Sequence, residues 1–152
     1  MRRRGAVASI IGGVVGGLLG AAVMSAGHAV VTSLAGPAPA TNEEDATIKV
    51  ARTVLGSSTP LAGHVVHYGF GTMMGLVYGV AALVSPLVTA GLGTAYGIAV
   101  WLGAHATVVP ALGLAPPPWR QPPSKEALEL VLHLAYGLTV GLVQRAAVRI
   151  SR

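Results

Sequence analysis

Residues 5–34 read GAVASIIGGVVGGLLGAAVMSAGHAVVTSL, an apolar run without a single Asp, Glu, Lys or Arg. A helix needs about 20 mainly apolar residues to cross the hydrocarbon core of a bilayer. This run is long enough, and it stops at Ala35-Gly36-Pro37. Arg2, Arg3 and Arg4 precede it as they would in a signal peptide, and Ala38-Pro39-Ala40 loosely resembles a cleavage site. A signal peptide, however, has an apolar segment of about 7–15 residues. The run is about twice that long, so it is read as a retained helix.

A second charge-free tract lies further on, from Thr53 to Trp119. Across the 152 residues, 53% are hydrophobic and 10% charged, and mean hydropathy is +0.67. Soluble domains average about 25% charged residues. The composition therefore excludes a soluble enzyme, a nucleic-acid-binding domain and a disordered tail. With no cysteine, it also excludes a disulfide-stapled secreted protein. The expected fold is an all-α membrane protein, a four-transmembrane-helix bundle forming one polytopic domain over 1–152. The spans are expected at about 5–34, 61–85, 89–110 and 124–145. The short joint at Ser85–Thr89 makes the second and third spans antiparallel neighbours.

Charge sets the expected topology. Arg2, Arg3, Arg4, Arg145, Arg149 and Arg152 gather at one end of a four-span chain. Lys49, Arg52, Arg120 and Lys125 at the other end are offset by the acidic residues. The positive-inside rule then puts both termini in the cytoplasm of a bacterial inner membrane. The net charge of +5 reads as contact with anionic headgroups, so the bilayer is the expected partner and nucleic acid is not. A short interfacial or connecting helix is expected over about 42–55. Thr41 or Asn42 could cap it, with Glu43, Glu44 and Asp45 in its first turn. The run 116–123, PPPWRQPP, should be stiff and extended.

Helices in lipid associate by close packing, which favours small residues four apart. Gly16 and Gly20 provide such a face in the first span, as do Gly71, Gly75 and Gly79 in the second. Gly93 and Gly97 do so in the third, and Gly137 and Gly141 in the fourth. Spare faces could serve a homo-oligomer. The spans also repeat. His67, Phe70, Gly71 and 75–77 (GLV) fall on His133, Tyr136, Gly137 and 141–143 (GLV). Gly20, Ala22, Val23, His28 and Ala29 fall on Gly97, Ala99, Val100, His105 and Ala106. The pattern predicts a 2+2 parallel internal repeat about an axis along the membrane normal.

The topology brings His28, His64, His67, His105 and His133 into the outer half of the bilayer, with Glu129 one turn from His133. Ionisable groups at membrane depth face the bundle interior or a water-filled cavity. Imidazole titrates near neutral pH and binds Zn, Cu, Fe or Ni. The leading expectation is a non-enzymatic membrane protein whose His/Glu cluster is proton- or pH-linked. One alternative is a metal- or haem-binding protein, with His64, His67, His105 and His133 as candidate ligands. Another is an assembly protein packing through its glycine faces. The histidines could equally hydrogen-bond across helices and simply hold the bundle together. The sequence names no cofactor and no catalytic residue. A Ser-His-Asp triad lacks its Asp, because Asp45 lies in a loop. There is no HExxH motif.

Three runs taken together resemble the YagU-like inner-membrane proteins: 67–79 (HYGFGTMMGLVYG), Trp101 to His105 with 110–118 (PALGLAPPP), and 129–137 (ELVLHLAYG). The resemblance covers about residues 63–149. The N-terminal third departs from it, with 36–40 reading GPAPA. It implies an inner-membrane location and a four-helix layout, and no particular reaction.

Overall fold

The computed structural model describes residues 2–35 and 45–151. Among these there are helices and turns and no strand. The helices are α1 (Arg2–Ala35), α2 (Ala46–Leu55), α3 (Pro60–Ala81), α4 (Thr94–Trp101), α5 (Val109–Ala111) and α6 (Pro123–Ile150). A π-helix, Leu102–Val108, joins α4 to α5. Among the described residues, three stretches are long and apolar enough to cross a membrane: Arg3–Leu34, Pro86–Ala111 and Pro123–Ile150. The second expected span, at about 61–85, corresponds to α3, which is not among the three. It has the length, but His64, His67, Tyr68, Tyr78 and its glycines dilute its apolar residues.

Local chemistry sets the helix ends. The Asp45 carboxylate accepts from the Thr47 amide at 2.7 Å and caps α2, which Gly56 ends in the left-handed conformation. The helix thus starts at Ala46; the expected caps Thr41 and Asn42, with Glu43 and Glu44, lie outside the described residues. So does 36–40. Thr59 caps α3 by accepting from the Ala62 amide, with Pro60 in the first turn. The third span departs from expectation. Regular helix starts at Thr94 instead of Thr89, because Gly91, Leu92 and Gly93 all have positive φ and interrupt it. The fourth runs past Arg145 to Ile150.

Packing follows the glycines. α1 lies against α3 on one side and α6 on the other, and α4 lies against α6. All nine expected packing glycines sit against another helix of the same chain. A methyl group on Gly75 would lie 2.6 Å from the Gly17 Cα, and one on Gly16 would lie 2.9 Å from the Val140 Cα. In the other half, Gly137 and Gly141 are crossed by Gly93 and Gly97. The second and third spans meet through tyrosine side chains. The Tyr96 hydroxyl donates to the Met74 carbonyl at 2.6 Å, and the Tyr96 ring meets Tyr78 edge-on. Tyr136 reaches across from α6 to donate to the Gly71 carbonyl, also at 2.6 Å. Met24, Tyr78, Leu132, Tyr136 and Val140 form the core, while the outside is apolar, with Val7, Ile11, Leu18, Val65, Met73 and Val131 all exposed.

At the end where Arg3 and Arg4 meet Ile150 and Ser151, a buried polar chain crosses three helices. Gln144 Nε2 donates to Ser9 Oγ at 2.8 Å, and Ser9 Oγ donates to the Gly79 carbonyl at 2.8 Å. Ser9→Ala should therefore lower stability by about 1 kcal/mol, the size of an interhelical hydrogen bond in a membrane. Reversible unfolding in mixed micelles would read it; an unchanged midpoint would show that the chain contributes nothing.

Candidate functional site: a histidine–glutamate cluster

The opposite end of the bundle holds the site. Glu129 and His133 stand one turn apart on α6, and His28 comes from the last turns of α1. His105 comes from the π-helix. A π turn holds more residues than an α turn and so rotates the side chains beyond it; such turns frequently mark functional sites. Thr107 Oγ1 donates to the Leu102 carbonyl five residues back, inside that turn. Gly97 has no Cβ to hold α4 off the His133 carbonyl. That close approach lets the following segment present His105 to α6.

Glu129 Oε1 lies 3.3 Å from His28 Nε2. The His105 and His133 rings meet edge-on, with centroids 5.1 Å apart. Trp101 stacks on the other side of His105 at 6.4 Å. His133 is only 6% exposed, and its Nδ1 lies 2.7 Å from the Glu129 backbone carbonyl. A carbonyl can only accept, so Nδ1 carries the proton and Nε2 keeps a free lone pair. One ligand atom each from His105, Glu129 and His133 lie within 4.8 Å of one another.

Four of the six expected residues thus converge: His28, His105, Glu129 and His133. The other two do not join them. His67 Nε2 is placed 3.2 Å from the Ala21 carbonyl, and the ring packs edge-on against Tyr68. His64 is exposed on α3. Of the four metal candidates named from sequence, His105 and His133 therefore join the cluster and His64 and His67 do not, and the Glu129 carboxylate completes the three-ligand group.

Two residues were not anticipated. Glu126 is 8% exposed, and neither carboxylate oxygen has a hydrogen-bond partner among the described residues. Trp101 Nε1 is likewise buried and unpartnered. Glu126 reads at first as an ordinary acidic residue in a helix's first turn. Its spacing to Glu129 and His133, three and seven residues, is the available signal, because those positions share one helix face.

No curated protein and no solved structure gives a significant match to the chain. A family model described as "Protein of unknown function (DUF1440)" matches residues 44–142. The matched stretch contains His105, Glu126, Glu129 and His133, and it leaves His28 outside. Because the match spans well over half of its length, the chain belongs to the DUF1440 family, a family of unknown function.

Proposed function

We propose that this protein binds a divalent transition-metal ion within the outer half of a bacterial inner membrane, through His105, Glu129 and His133. The observation that carries the reading is the convergence of those three side chains, with His133 Nδ1 fixed on the Glu129 carbonyl. Metal-bound histidines usually donate their second ring N–H in this way, which aims the other nitrogen at the ion. Two imidazoles and a carboxylate suit zinc, and a three-ligand set leaves coordination open for a further group. His28, already beside Glu129, is the nearest such group. We read the site as a binding centre and not a catalytic one.

The same proposal includes a YagU-like chain of four spans, with α3 as the second, and both termini cytoplasmic. It also includes a 2+2 repeat, supported by the glycine crossings that recur in the α1–α3 and α4–α6 pairs. A proton-linked role for the cluster is the second reading, favoured by the His28–Glu129 ion pair. Equilibrium dialysis of the purified full chain against zinc separates the two. Stoichiometric zinc retained by the wild type is expected. A chain that retains none, and is colourless, would remove both the metal and the haem readings and leave the proton-linked one.

A further inference from the structure

We propose that Glu126 forms a second, outer cation position through which a metal ion reaches the His105–Glu129–His133 centre. The inference rests on the metal reading above and adds the path to it. Glu126 is buried to 8% exposure with both oxygens unpartnered. A carboxyl group buried without partners is costly, and such a group in a folded protein points to a water or an ion that completes it.

Its position says which way the path runs. Glu126 precedes Glu129 by one turn and His133 by two, so the three lie along one face, spanning about 10 Å at 1.5 Å per residue. Helical side chains lean toward the helix N-terminus. His133 shows this by placing Nδ1 at the Glu129 carbonyl, so the lower ligands lean up toward Glu126. Above lies the proline-rich connection to α6. The Lys49 ammonium donates to the Leu114 carbonyl at 2.5 Å, and Gln121 Nε2 donates to the Pro116 carbonyl at 2.9 Å. The turn Pro118–Arg120 leads into the start of α6. Glu126, in the first turn of α6, therefore stands at the outer end of the line that ends on His133. Lys125 beside it is exposed and does not neutralise it.

A carboxyl group ahead of the centre can hold an incoming cation beside it and so raise the rate of loading; the final ligands are set deeper. The test uses cobalt(II) as probe, with the full chain in nanodiscs and stopped-flow absorbance of the bound ion. Glu126→Gln should slow loading by about tenfold or more, the low end of what charge focusing supplies, and reach the wild-type final spectrum. Glu126→Asp keeps the charge and should load at an intermediate rate. A Glu126→Gln protein that loads as fast as wild type would overturn the port and leave the metal centre standing. A Glu126→Gln protein that loses the final spectrum would also overturn it, by making Glu126 a ligand of the centre. A wild type that gives no cobalt spectrum would instead overturn the metal reading itself.

Discussion

Gly97→Ala is expected to destabilise the protein by about 3 kcal/mol, at the upper end of overpacking costs, and to open the metal centre in the same step. A methyl group there would run into the His133 carbonyl and come 2.9 Å from the His133 carbonyl carbon. These are backbone atoms of a long helix and cannot turn aside as a side chain can. Relief requires α4 to move off α6, and His105 lies two turns further along the same segment. The separation needed is small, but a centre whose ligand atoms lie within 4.8 Å tolerates little displacement. Zinc affinity should therefore fall together with the unfolding midpoint. Gly69→Ala is the control: nothing lies within 4 Å of a methyl group there. Alanine is the better helix former by about 1 kcal/mol, so that variant should be as stable as wild type or more so. Equal stability of the two variants would show that the α4–α6 contact is not the close one described.

His133→Ala should raise the zinc dissociation constant by at least about 100-fold, the upper end of what losing even an outer-shell partner costs. The residue supplies Nε2, left free for the ion because Nδ1 holds its proton against the Glu129 carbonyl, so no rotamer of a neighbour replaces it. His64→Ala, on the exposed face of α3, should leave affinity unchanged. The reverse result, with His64 needed and His133 dispensable, would move the site to the start of α3. Helix content by circular dichroism distinguishes lost binding from lost fold, since Leu132 and Tyr136 beside His133 hold the core in place.

Much of the helical layout is legible in the sequence, because its cause is local. A charge-free apolar run has few alternatives in lipid, and small residues four apart must meet something. The glycines at 71, 75, 93, 97, 137 and 141 all lie at close helix crossings. The break at Gly91–Gly93 is harder to read. Leu92 has a φ of 62°, which a leucine adopts only where its surroundings hold it. Those surroundings include Gly141, against which the Leu92 carbonyl packs. A contact made across helices leaves no mark in the local pattern.

The site shows the same division. That His28, His105, Glu129 and His133 belong to one depth follows from counting residues along the spans. Which of them touch does not follow, because His105 is turned by a π-helix that a period of 3.6 does not anticipate. His64 and His67 sit one turn apart on α3, which suggests a pair, yet one is exposed and the other is taken up by the Ala21 carbonyl. Glu126 is hidden for the opposite reason. Acidic residues at a helix start are ordinarily solvated, and the burial of this one comes from tertiary packing that its local sequence does not show.

X-ray absorption at the zinc edge of the loaded wild-type protein tests the central claim most directly. Nitrogen and oxygen neighbours are expected at about 2.0–2.2 Å, with the outer-shell scattering of at least two imidazole rings and loss of one ring in His133→Ala. A zinc ion surrounded only by oxygen, with no imidazole signature, would contradict it.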